Sequence, residues 1–193
     1  MQRNIGPQSG NRPWICGHLL MTSLFYPAVL GGLFLFFLED CYSLTTDAGR
    51  IPLVFAFIGI LITFSLDFLY TWISREHYTF ALFLSDLAIL FFLFNAYRSL
   101  LEGLLRHTDI TLFYLCLIGI HIICFVWDSF LITREAKPDG IVLYDVTALL
   151  LSISGLGLRD NAVSGIIILW VLGLASIFFF GRGILSTINK SSF

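Results

Sequence analysis

Apolar runs of roughly 17 to 24 residues recur along almost the whole chain, parted by short polar links. An α-helix of that length crosses about 30 Å of hydrocarbon. None of the runs alternates apolar and polar positions over about ten residues, as the strands of a membrane β-barrel would. The pattern predicts an all-α, polytopic membrane protein with six spans at residues 19–38, 51–74, 79–97, 110–132, 141–157 and 164–180. Pro52 falls in the first turn of the second span, where proline is tolerated. Arg75-Glu76-His77 reads as a tight turn, Pro138-Asp139-Gly140 as a strong turn signal, and Gly181-Arg182-Gly183 as a helix exit.

These boundaries give a polar N-terminal segment at 1–18, a six-helix domain at 19–183 and a C-terminal tail at 184–193. The first apolar run is too long for a signal-peptide core and has no small-residue cleavage site after it, so it is read as an uncleaved first span. Arg3, Arg12, Arg75, Arg134, Lys137, Arg182 and Lys190 then lie on one side, against Arg50, Arg98, Arg106 and Arg159 on the other. That bias places both termini in the cytoplasm.

Composition agrees with this reading. The chain is 58% hydrophobic and 12% charged, about half the charged fraction of a soluble domain. A net charge of −2 gives no basic face for nucleic acid. Cys16, Cys41, Cys116 and Cys124 form no CxxC pair, so neither a disulfide framework nor a zinc site is expected. The expected partners are the lipid bilayer and either further copies of the chain or other membrane subunits.

The chemistry lies in charges where charge is costly. Asp67, Asp86, Asp128 and Asp145 fall inside four different spans, and a carboxylate at membrane depth costs roughly 2.5 to 3.5 kcal/mol on insertion scales. Three of them sit on polar stripes at helical spacing. These are Thr63, Asp67, Tyr70 and Ser74; Tyr114, His121, Cys124 and Asp128; and Asp145, Ala148, Ser152 and Gly155. Asp86 has a looser stripe, with Thr79 to one side and Tyr97 far to the other. Membrane helices bury small and polar residues against one another, so the four faces are expected to converge. Counted along the helices, all four carboxylates lie within roughly 12 Å of one membrane face. Arg75, Glu76, Arg134 and Glu135 flank them as the mouth of the site.

Four carboxylates this close cannot all be ionised in a dry interior without compensation. A bound cation, protons, or Arg75 and Arg134 folding inward could each supply it. The first two imply transport or ion binding, and the third implies a structural role. His121, on the same stripe as Asp128, could relay protons, or could be a histidine satisfied by a neighbouring helix. His18, His77 and His107 match it neither in depth nor in placement, so haem is not expected. No phosphate-binding, hydrolase or metalloprotease motif occurs, and neither a cofactor nor an enzyme activity is expected. The expected function is a small membrane transporter or channel with an intramembrane acidic site for a cation or protons. The alternatives are a non-catalytic subunit or assembly factor of a larger membrane complex, and a membrane-embedded metal enzyme.

The stretches around Asp67–Asp86 and Asp128–Asp145 also resemble each other internally. Each has an aspartate, then Arg-Glu, then a second aspartate eleven residues after the arginine. The pattern predicts a parallel repeat of two helical hairpins, an arrangement found in transporters.

Overall fold

In a computed structural model the chain is helical throughout the residues described, which are 14–43, 47–73, 78–131 and 140–191. The first helical stretch has three parts: α1 (Ile15–Leu20), a π-helical turn (Met21–Phe25) and α2 (Tyr26–Ser43). Then come α3 (Asp47–Ile73), α4 (Phe80–Arg106) and α5 (Thr111–Val126), which continues into a second π turn (Trp127–Leu131). α6 (Ile141–Gly155) closes in a short 3-10 turn (Leu156–Leu158), and α7 (Ala162–Ser191) is last. Among the described residues five stretches are long and apolar enough to cross a membrane: Ile15–Tyr42, Arg50–Leu69, Phe80–Arg106, Thr111–Ser129 and Ile141–Leu158. A sixth apolar stretch, Ala162–Phe178, is shorter.

The distribution of polarity is that of a membrane protein. Phe91, Leu35 and Phe178 are exposed, whereas Asp86, Asp128, Asp145 and His121 are buried. Lipid accepts the large apolar side chains, and helices shelter their polar ones against each other. α4 is at the centre, packed along α5 and touching α2, α3 and α7, and α6 packs on the other side of α5. α3 packs chiefly on α7, so the α3–α4 and α5–α6 hairpins have different surroundings.

Several boundaries differ from the sequence reading. α4 runs on to Arg106, through residues assigned to a link. No proline interrupts 98–106, the Arg98 guanidinium donates to Glu102 one turn on at 2.8 Å, and His107 ends the helix in the left-handed conformation at φ 52°. α3 begins at Asp47, which places Pro52 in its second turn rather than its first. α7 continues through Gly181 and Gly183, so that stretch is not a helix exit, and residues 184–191 are helical. α1 starts at Ile15, inside the segment assigned to the N-terminal region.

Helix ends are closed by local chemistry. Thr79 caps α4, its hydroxyl accepting from the Leu82 N–H at 3.3 Å. The Asp109 carboxylate accepts from the Thr111 N–H at 3.0 Å at the start of α5. That hydrogen bond is the main reason its carboxyl is held below the usual aspartate range. Gly140 precedes α6 at φ 85°, a conformation that suits glycine and fits the turn signal that contains it.

Candidate functional site in the helix bundle

α5 presents His121 and Cys124 to the interior, and Asp128, at helical spacing from them and inside the π turn Trp127–Leu131, lies on the same side. Such wide turns recur at functional positions. Across from them α6 presents Tyr144 and Asp145, and α3 contributes Thr63 and Asp67. Together they border a cavity of ≈ 110 Å³, well above the roughly 10–15 Å³ that admits one water. The rest of the wall is apolar, with Leu93, Leu117, Ile120 and Leu169 among its side chains.

The polar groups on this wall fall into two kinds. Some are paired. The Thr63 and Tyr97 hydroxyls meet, and the Ser176 and Tyr144 hydroxyls lie 2.6 Å apart. Others have no protein partner among the described residues. Neither ring nitrogen of His121 is hydrogen-bonded, although the side chain is only 6% exposed. Asp145 Oδ2 is also unpartnered, with the residue 2% exposed. Asp128 and Asp145 lie with their carboxyls in contact. Buried polar atoms are nearly always hydrogen-bonded, and leaving one unpaired costs about 1 to 3 kcal/mol. Three such atoms border one cavity.

The four aspartates converge but do not share one environment. All four carboxyls lie within electrostatic reach of Cys124. Asp67, Asp128 and Asp145 border the cavity, whereas Asp86 does not. Asp86 is fully buried, and its Oδ2 accepts from the Tyr78 hydroxyl at 2.6 Å. Asp67 accepts from Tyr26 at 2.5 Å, and the same Tyr26 oxygen lies 3.0 Å from the Thr71 hydroxyl. His18 joins this second network through Nε2 and the Thr71 carbonyl, 3.1 Å away, with its ring edge-on to Tyr78. Tyr26 follows directly on the first π turn. The sequence reading missed both tyrosines, because neither shares a helical stripe with its aspartate.

The stripes only partly face the cavity. His121, Cys124 and Asp128 border the cavity, but Tyr114 lies elsewhere and shares a 2.7 Å hydrogen bond with Ser164 on α7. Asp145, Ala148, Ser152 and Gly155 are all buried, as a small, polar face requires. Arg75, Glu76, Arg134 and Glu135 lie outside the described residues, as do Ser74 and the Tyr70 side chain. Among the described residues no three His, Cys, Asp or Glu side chains come together as metal ligands.

Tyr26→Phe is expected to destabilise the protein by about 1 to 3 kcal/mol, because it strips a buried donor from Asp67 and removes the contact with the Thr71 hydroxyl. Thermal unfolding in detergent checks this; an unchanged midpoint would show that water replaces the hydroxyl.

Comparison with protein-family models, with curated proteins and with solved structures found no match to this chain.

Proposed function

We propose that this chain is a small multi-pass transporter or channel whose central cavity binds a cation or exchanges protons. The observation that carries this reading is the set of unpaired polar atoms on the cavity wall, His121 Nδ1 and Nε2 and Asp145 Oδ2, beside the Asp128 carboxyl. Tyr26 and Tyr78 each satisfy one oxygen of Asp67 and Asp86, and Asp86 Oδ1 is itself open away from the cavity, so the weight lies on three open atoms bordering one cavity. The site therefore narrows to Asp128, Asp145 and His121, with Asp67 on the wall. Asp86 belongs to the scaffold. A subunit or assembly-factor role is favoured by one observation, the tyrosine clamps on two of the four carboxyls. The working unit is a homo-oligomer or an assembly with other membrane subunits, since six short helices form a pore alone only with difficulty.

Thiol labelling tests the reading at the wall. Thr63→Cys, in a background without native cysteines, is expected to react with a small cationic thiosulfonate much faster than with an anionic one of equal size. Equal rates, or protection from both, would contradict a cation-accepting cavity.

The same proposal carries six spans, the parallel repeat of two hairpins, and both termini in the cytoplasm. Cysteines replacing Arg50, Arg106 and Arg159 are expected to label from the non-cytoplasmic side. Labelling from the cytoplasm alone would reverse the topology.

A further inference from the structure

Hydrogen bonding divides the cavity wall unequally. The Thr63 and Tyr97 hydroxyls are taken up by each other, and so are those of Ser176 and Tyr144. His121 borders the same space at 6% exposure, with neither ring nitrogen hydrogen-bonded among the described residues. Its ring stands edge-on to Tyr144, the centroids 6.2 Å apart, a contact that uses neither nitrogen. Most of what surrounds it is apolar: Leu93, Leu117, Ile120, Leu169 and Leu172. Water alone suits such a space poorly. A buried water makes about three hydrogen bonds, and a cavity of ≈ 110 Å³ has room for several waters but few open polar atoms to hold them. A dry apolar cavity of about 150 Å³ takes up a molecule the size of benzene.

We infer that the cavity binds a small neutral hydroxyl compound, its apolar body of about six carbons along the leucine wall and its hydroxyl on the His121 imidazole. A neutral imidazole donates at one nitrogen and accepts at the other. A hydroxyl does both, so it meets either nitrogen whichever carries the proton, whereas an ether or ketone only accepts. The inference goes beyond the cation or proton reading and does not depend on it, because the hydrogen bond at His121 requires neither an ion nor a carboxylate.

The test is binding of phenol and of benzene to the purified full chain in detergent, parent against His121→Phe. Phenol titrates at about pH 10 and is neutral at physiological pH. Comparing the two proteins with one probe at a time cancels partition into detergent. Phenol is expected to bind the parent saturably and His121→Phe about tenfold more weakly, the loss of one buried hydrogen bond. Benzene should bind both alike. Nitrogen-15 spectra of the histidine-labelled parent give a readout that stands even if His121→Phe does not fold. Phenol should move the ring nitrogen signals of one of the four histidines, and benzene should leave them in place. Unchanged phenol affinity in His121→Phe, or equal losses of phenol and benzene, overturns the inference. So does a phenol complex in which no histidine signal moves. Saturable binding of neither probe overturns it as well, and leaves a cavity that holds water only. Ion flux is measured apart. Flux without phenol binding removes this inference alone, whereas phenol binding without flux removes the cation and proton reading and leaves this one standing.

Discussion

Asp128→Asn is expected to abolish ion or proton flux through the reconstituted protein while leaving its melting temperature close to the parent's. Asparagine keeps the size and hydrogen bonding of aspartate, but loses the charge that draws a cation and the group that titrates. Asp128 is 3% exposed, sits in the π turn that closes α5, and meets the Asp145 carboxyl. A neutral side chain there removes the electrostatic half of the site and relieves repulsion in the other half. The structural alternative predicts the reverse. If the carboxylate mainly balances Arg134, which lies outside the described residues, the substitution leaves a buried charge unmatched, at a cost of roughly 3 to 5 kcal/mol. Stability should then fall, and Arg134→Gln added to Asp128→Asn should restore it. Melting temperature and flux measured for both variants therefore distinguish the two roles.

Gly155→Val is expected to cost several kcal/mol and to lower the yield of folded protein. A Cβ built at Gly155 would lie 2.1 Å from the Tyr114 ring. That ring is fully buried and anchored to Ser164 at 2.7 Å, so it cannot turn away without losing the bond between α5 and α7. Overpacking of this kind costs about 1 to 3 kcal/mol, and a lost buried hydrogen bond adds about 1 more. Gly31→Ala is the control, because nothing lies within 4 Å of a Cβ there. The expected order of melting temperatures is parent, then Gly31→Ala close beside it, then Gly155→Val well below. A Gly155→Val protein that melts with the parent would show that α5 and α6 are not held at this distance.

Glycine packing also shows where sequence reasoning stops. Gly31, Gly32 and Gly173 all stand inside apolar runs, yet Gly31 faces open space and Gly32 makes only an ordinary contact at 3.7 Å; of the three only Gly173 is tight, a Cβ there falling 3.2 Å from Ile62. Gly103, Gly155 and Gly165 are tighter, a Cβ at each falling 2.3, 2.1 and 2.6 Å from a neighbouring side chain. Periodicity locates a face but not the neighbour that will meet it. The aspartates follow the same logic. Their burial was legible, since a carboxylate in an apolar run must turn inward. Their division into a tyrosine-bound pair, Asp67 and Asp86, and a pair in contact with each other, Asp128 and Asp145, was not. It depends on Tyr26 reaching Asp67 from 41 residues away, and on Tyr78 reaching Asp86 from a segment just outside α4. The π turn at Trp127–Leu131 was equally hidden, because a regular 3.6-residue stripe already placed His121 and Asp128 together. Helix ends were misjudged wherever a polar residue was read as a stop. Arg98 and Glu102 extend α4 by pairing along it, and Gly181 and Gly183 do not end α7.

The central claim, that the cavity bordered by Asp128, Asp145 and His121 handles a cation or protons, is tested most directly by flux into liposomes containing the parent protein. Internal pH and cation content are followed after a pH gradient or a membrane potential is imposed, with protein-free liposomes alongside. The account predicts flux above the protein-free rate that scales with protein and disappears in Asp128→Asn. Flux no greater than in protein-free liposomes, from protein that is folded and inserted, would contradict it.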